Sequence, residues 1–280
     1  MANKTITDTL ALSNSQRIPQ LGFGVYKSPP EVCEQSCLAA LGCGYRHIDT
    51  AQLYANEGEV GQAVKKSGLA REDVFLTTKI LDAAGSVQKS YEQCLESVRK
   101  LDGATGYVDL FLIHSSNCGP EKRKELWKAL ERLYKEGRAK AIGVSNYSIQ
   151  HIEEMKEYAE IWPPHVNQIE LHPWCQQSKT VKYCEQNHIA VEAYCPIVRN
   201  QKAEDASVKK IADKHQVTAS QVLIRWSLQR GFIPLPKSDT PARIQANADL
   251  YRSKLDGDDM ATLNSLDQGR KGAIVKPVDE

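Results

Sequence analysis

Apolar positions in this chain fall into short, nearly continuous runs. Between them lie longer stretches in which apolar residues recur every three or four positions. The runs include VFLTTKI (74–80), YVDLFLIH (107–114), AKAIGVSN (139–146), HVNQIEL (165–171), IAVEAYCP (189–196) and FIPLPKS (232–238). Runs of this kind suit parallel strands buried on both faces, and the intervening periodicity suits amphipathic helices. Two shorter runs come first, LGFGVY (21–26) and YRHIDT (45–50). The helical stretches carry their own punctuation. Pro29 and Pro30 open 29–44 and Gly42 and Gly44 close it, Gly68 and Gly137 stop two more, Thr218 caps 218–231, and Pro241 stands just inside the start of 240–251. A helix over 148–160 follows the fifth run, and others cover 86–101, 124–137, 179–187 and 205–216. The pattern predicts eight strand–helix steps, an α/β chain folded as a (β/α)8 TIM barrel. Residues 5–18, two alternating runs around SNSQ, predict a hairpin that plugs one end. Gly22 and Gly24 weaken a strand, which points to a close approach to the backbone or to a bend at a barrel corner.

Composition narrows the class. A chain of 280 residues suits such a barrel as one domain over 1–280, with no linker or low-complexity segment to divide it. A net charge of +1 gives no general electrostatic reason to bind nucleic acid or an anionic membrane. No apolar run approaches the ~18 residues of a membrane span, and the N-terminus lacks an apolar signal core. Eight cysteines without metal-ligand spacing predict thiols in a reducing compartment and no metal site. A cytoplasmic, monomeric enzyme acting on a small molecule is the expectation.

Candidate chemistry lies at strand ends. Asp49 closes YRHIDT, Lys79 lies 30 residues on at the end of VFLTTK, and His114 lies 35 beyond that at the end of YVDLFLIH. Each step is one strand-plus-helix unit, so parallel strands in sequence bring Asp49, Lys79 and His114 to one rim, with Tyr54 in the loop beyond Asp49. A lysine ammonium beside a tyrosine favours the phenolate, a carboxylate fixes the lysine, and a histidine can orient a substrate oxygen. The set suits proton donation to a carbonyl oxygen as hydride arrives, and since no side chain donates hydride it requires a cofactor. Taken singly, Asp49 also reads as a helix cap, Lys79 as a solvated strand end and His114 as a core histidine.

The segments DTAQLYANEGEVG, LTTK, LFLIH, GVSN, NQIELHP, EAYCP and LPKSDTPARIQAN, in order from Gly22 to Asn247, resemble the aldo-keto reductase family. The resemblance implies an NADPH-dependent carbonyl reductase, reversible and metal-free, with Tyr54 as general acid, Lys79 and Asp49 tuning it and His114 positioning the carbonyl. It implies that Ser145, Asn146 and Gln168 hold the nicotinamide carboxamide and that Tyr194 stacks on the ring. Gly22, Asp49, Cys195, Pro196, Ile197 and Arg199 also join the cofactor site, the last three along the pyrophosphate. Lys237, Ser238 and Arg243 would take a ribose 2′-phosphate and Asn247 the adenine. Arg243 alone also suits a solvated basic helix face. Val25, Tyr54, Leu81, His114 and Ser115 would line the substrate pocket. Ala246, Ala55, Leu81 and Cys195 depart from common family residues; of these Leu81, with Ser115, Ser116 and a short tail, implies a wide pocket for bulky aldehydes or ketones. The alternative class is an NADPH-binding regulatory or redox-sensing barrel with little turnover, and isomerase or hydrolase chemistry on the same fold is a third.

Overall fold

The protein is described from a computed structural model covering residues 5–252 and 254–278. Eight parallel strands pair in sequence order, from β3 (Phe23–Gly24) through β4 (His47–Asp49), β5 (Phe75–Ile80), β6 (Val108–Ile113), β7 (Ala139–Ser145), β8 (Val166–Glu170) and β9 (Ala190–Tyr194) to β10 (Ile233–Pro234). The ends of the sheet meet, because Gly22 N donates to Pro234 O at 3.1 Å and Gly24 N to Pro236 O at 3.1 Å. This closes the barrel. Gly22 is packed too closely there for a side chain: a Cβ on it would lie 2.4 Å from a Leu235 methyl and 2.7 Å from His47 Nδ1. The close approach expected at LGFGVY is therefore made by strand and barrel interior.

An antiparallel hairpin, β1 (Thr9–Ala11) and β2 (Arg17–Pro19), precedes the barrel. Its Leu12 and Ile18 pack with Phe75, Leu110, Leu112, Ala141, Val166 and Ile233, a small apolar plug inside the barrel's N-terminal end. The larger core lies outside the sheet. There Ile48, Leu76, Phe111, Ile142, Val144 and Ile169 meet the helices, with Trp127 and Trp226 fully buried.

Helices α1 (Pro30–Gly42), α2 (Glu57–Lys66), α3 (Val87–Asp102), α4 (Pro120–Lys135), α5 (Ile149–Glu154), α6 (Ser178–Gln186) and α8 (Ala219–Gln229) make the seven crossovers, with α7 (Ala206–His215) inserted before α8, and α9 (Pro241–Ala248) follows the last strand. Pro30 occupies the first turn of α1, Ser86 caps α3, and Thr218 with Gln221 forms a capping box on α8. The helix expected over 148–160 is shorter. It tightens after Glu154 into a 3-10 turn at Met155–Glu157, a frequent way for a helix to end.

A further helix, α10 (Gly257–Asn264), was not anticipated. The signal was present, since Asp256 and Asp259 form a capping box. The same carboxylates meet Lys214 and His215 of α7, which anchors α10 to the barrel wall. Among the described residues the eight cysteines form no disulfide, and no helix is long and apolar enough to cross a membrane.

Helices α2 and α3 touch through Gly61, where a Cβ would sit 2.4 Å from Lys100 O and 2.8 Å from Leu101 O. Neither backbone atom can yield without shifting a helix, so Gly61→Ala should cost about 1–3 kcal/mol as overpacking. Urea denaturation should show a lower midpoint at unchanged slope; an unchanged midpoint would mean that the two helices separate freely.

Candidate active site

The C-terminal ends of β4 to β9 open on a cavity of about 1090 Å³. At its base stands Lys79, fully buried in β5. An ammonium has three hydrogens, and three oxygens surround this one: Asp49 Oδ1 at 2.6 Å, Thr50 O at 2.9 Å and the Tyr54 hydroxyl at 3.5 Å. Asp49 Oδ2 accepts from Gln168 Nε2 at 2.8 Å. Burial excludes both simple readings of these residues, because Lys79 is not a solvated strand end and Asp49 caps no helix.

Tyr54 ends a 3-10 turn, Gln52–Tyr54, closed by Ala55 in the left-handed region at φ +55. A non-glycine residue there costs about 1–2 kcal/mol, which is the physical content of the family's common glycine at this position. Asn56 holds the turn down: it accepts from Thr50 Oγ1 at 2.7 Å and donates to Val25 O and Ser28 O, each at 3.1 Å. His114 follows β6 directly, and its ring stands edge-on to Tyr54 with centroids 5.6 Å apart. The four residues predicted from strand spacing thus meet.

Burial pushes the Tyr54 phenol up to about 12, with Lys79 pulling the other way and Asp49 adding to the rise. Lys79 acts in the expected direction, but burial outweighs it, so the phenol keeps its proton at neutral pH. Burial, then the positive charge of Lys79, lowers His114 to about 3, so its imidazole is neutral. For Lys79 itself burial lowers the value, while Asp49 and Tyr54 more than offset it and the net shift is upward. The base of the cavity therefore holds an ammonium paired with Asp49, a protonated phenol and a neutral histidine.

From this point the cavity runs past Ser145, Asn146, Gln168 and Tyr194 to Lys237, Ser238, Arg243 and Asn247. These side chains are mutually fixed. Ser145 Oγ donates to Gln168 O at 2.9 Å, Asn146 Nδ2 to His114 O at 3.1 Å, and the Tyr194 hydroxyl to Asn146 Oδ1 at 2.8 Å. Cys195, Pro196, Ile197 and Arg199 line the same wall. At the far end Lys237 Nζ donates to Asp239, whose other oxygen is braced by Ser28 Oγ at 2.6 Å and Ser36 Oγ at 3.2 Å.

Four expected residues stand elsewhere. Gly22 is packed against Leu235 and His47, and Gly24 takes its place on the wall. Val25 is fully buried in the core, and neither Leu81 nor Ser115 reaches the cavity. Tyr26, Leu53 and Val275 line it instead, exposed by 43%, 57% and 51%. Tyr26 lies two residues beyond Gly24 and Leu53 sits inside the Gln52–Tyr54 turn, positions that could have marked them. Nothing in the aperiodic tail marks Val275.

Buried Glu170 explains how Val275 gets there. The Glu170 carboxylate accepts the backbone N–H groups of Ile274, Val275 and Lys276 at 2.7, 2.9 and 2.8 Å, and His172 Nε2 lies 3.0 Å away. Burial pushes this carboxyl up, but His172 and the three N–H groups outweigh it and the net shift is downward. Gln177 continues the clamp, donating to Glu170 O at 2.5 Å and accepting from Val278 N.

With this geometry in place, comparison with known proteins decides the lineage. The sequence pattern of the Aldo/keto reductase family matches residues 21–268. The chain belongs to that family. An uncharacterized oxidoreductase of Schizosaccharomyces pombe is 43% identical, over 92% of this chain and 93% of its own. A glyoxal reductase of Bacillus subtilis is 38% identical over 95% of each chain. A solved aldo-keto reductase from a Medee basin deep-sea metagenome library superposes with a TM-score of 0.90 at 38% identity, covering 98% of this chain and 99% of that one. Membership in the aldo/keto reductase family makes this chain an oxidoreductase of carbonyl compounds, in a family whose members use nicotinamide cofactors.

Glu170→Gln replaces an all-acceptor group with one that turns N–H donors toward three N–H groups. The loss of charge-assisted bonds, about 1.5–3 kcal/mol each, should free the tail. Trypsin should then cleave after Arg270 or Lys271 at least tenfold faster than in the parent protein; equal rates would show that the tail is held by other contacts.

Proposed function

We propose that this protein reduces an aldehyde or ketone to an alcohol, reversibly, with NADPH as cofactor and Tyr54 as proton donor. The observation that carries the reading is the Tyr54 hydroxyl 3.5 Å from the enclosed Lys79 ammonium, at one end of a cavity whose other end holds Lys237 and Arg243. An extended dinucleotide fits this set of donors. Ser145, Asn146 and Gln168 offer an amide-matching group at the catalytic end, and Tyr194 offers a ring face beside them. Pro196, Ile197 and Arg199 border the middle. Lys237, Ser238 and Arg243 supply charge and hydrogen-bond donors for a 2′-phosphate, and Asn247 supplies an amide for adenine. When bound, the nicotinamide supplies hydride to the carbonyl carbon.

The chain's own residues do the rest. His114, neutral, offers an N–H to orient the carbonyl oxygen. Tyr54 delivers its proton to that oxygen, and Lys79 stabilises the phenolate left behind. Tyr26, Leu53 and Val275 present apolar surface around this point, which supports acceptance of bulky carbonyl compounds by a different wall from Leu81 and Ser115. Relatives bear names as far apart as glyoxal reductase and 9,11-endoperoxide prostaglandin H2 reductase.

Tyr54→Phe should lower kcat for carbonyl reduction by at least about 10²–10⁴-fold while NADPH binding, read by quenching of protein fluorescence, stays within about twofold. Turnover at the parent rate would remove Tyr54 as the acid. Arg243→Ala should weaken NADPH binding by about 10–100-fold, the equivalent of one charge-assisted pair, and leave NADH nearly untouched. Equal losses for both cofactors would show that Arg243 does not read the 2′-phosphate.

A further inference from the structure

Below the catalytic residues the barrel encloses a second carboxylate that the proposed chemistry does not use. Glu192 lies in β9 with its side chain inside the barrel, fully buried, opposite Gln168 of β8 and Ile233 of β10. Its Oε2 accepts from Gln168 Nε2 at 2.7 Å, and the same nitrogen donates to Asp49 Oδ2 at 2.8 Å. One amide therefore bridges two carboxylates. The charged or titratable groups facing Glu192 are Asp49 and His47 of β4 and Lys79 of β5, with uncharged Gln168 beside them. Lys79 directs its hydrogens to Asp49, Thr50 and Tyr54. His47 is held neutral, since burial pulls it down to about 3. Glu192 is thus an enclosed carboxylate with no cation of its own, an arrangement that costs several kcal/mol unless the group takes up a proton. Its Oε1 has no hydrogen-bond partner among the described residues and faces His47 Nε2 at 3.6 Å.

We propose that Glu192 is a positioning residue that carries a proton at neutral pH and, through Gln168, keeps the Asp49–Lys79 pair in register behind the phenol. Burial first, and then the charge of Asp49, push its carboxyl up to about 8. Loss of that proton places a second negative charge beside Asp49. Gln168 is then shared between two anions, Lys79 is drawn toward the barrel interior, and Tyr54 becomes a weaker acid. Reduction should slow as the pH rises through about 8. The kinetic consequence rests on Tyr54 being the proton donor, whereas the site of the proton does not.

Glu192→Gln mimics the protonated form, with an amide oxygen for Gln168 and an N–H for His47. It should retain near-parent activity at pH 7 and lose the alkaline fall in kcat. The effect on folding has a definite sign. A carboxyl raised from 4.5 to about 8 binds its proton more tightly folded than unfolded, so it contributes stability at low pH that is lost as the pH rises to about 8. His47, His114 and His165 are lowered to about 3, 3 and 4, so their opposite contributions fade only as the pH passes about one unit above the unfolded value of 6.5. Those contributions are common to the parent and the variant, so the difference between the two proteins over the interval from about pH 6.5 to 8.5 isolates Glu192. The parent protein should lose melting temperature across it and the variant should lose markedly less.

Carboxyl ¹³C NMR of the parent protein needs no variant to fold. One glutamate should titrate near 8, and the assignment is made if its signal is missing from Glu192→Gln. Glutamates that all titrate below about 6 would overturn the proposal, as would an identical alkaline limb in the variant. Full turnover by Tyr54→Phe would instead remove the proton-donor reading and leave the titration result standing.

Discussion

The structure depends on a charged pair placed where charge is expensive. Lys79 and Asp49 face each other at 2.6 Å inside the barrel, with Lys79 fully buried. Apolar residues of the same volume would serve stability as well or better, because desolvation offsets most of the attraction in an enclosed pair. Stability therefore does not account for the pair; the proposed work of the phenol above it does. Each oxygen and hydrogen of the pair has an assignment, to Thr50, Tyr54 or Gln168, so strands β4, β5 and β8 are tied at the level of the site. The loop bearing Tyr54 is fixed from the same point, through Thr50 and Asn56 to the backbone beyond β3.

Around this centre the backbone adopts conformations that ordinary residues avoid. Ala55, Asn146, Cys195, Val198, Arg199 and Asn200 all have positive φ, and four of them line the cavity. Such residues persist only where their surroundings over-determine them, and they gather at functional sites. At Asn146 the determining contacts are visible: its amide donates to His114 O and Ser145 Oγ and accepts from Tyr194. One residue at positive φ thereby links the ends of β6, β7 and β9 on the cavity wall.

What the sequence made legible follows from periodicity and spacing. Eight apolar runs and their intervening amphipathic stretches are enough to place Asp49, Lys79 and His114 at one rim, because a parallel barrel puts every strand end on the same side. The plugging hairpin was readable for the same reason. Substrate-wall residues were less so. Val25 and Leu81 are neighbours in sequence to functional positions, but strand alternation turns Val25 into the core, and Leu81 stays clear of the cavity. The tail was opaque because its placement depends on Glu170, more than a hundred residues away. A carboxylate that binds three backbone N–H groups leaves no periodic trace in the segment it holds. Glu192 was hidden differently: nothing in the run IAVEAYCP tells whether its one glutamate faces the barrel interior or the helices.

The shift of the Tyr54 phenol to about 12 bears on the direction of the proposed chemistry. Burial that keeps the proton on the phenol favours the state needed for reduction and opposes the phenolate needed for alcohol oxidation. The ammonium at 3.5 Å compensates in only one of these states. It gains little from a neutral phenol, and its attraction grows as negative charge develops on the oxygen. In the proposed role of proton donor, Tyr54 is poor at rest and stabilised as it gives up its proton, which meets the requirement that interactions strengthen in the transition state rather than before it. The arrangement works only while Lys79 remains poised between Asp49 and Tyr54. On the role proposed for Glu192, the charge state of the barrel interior beneath Lys79 belongs to that arrangement.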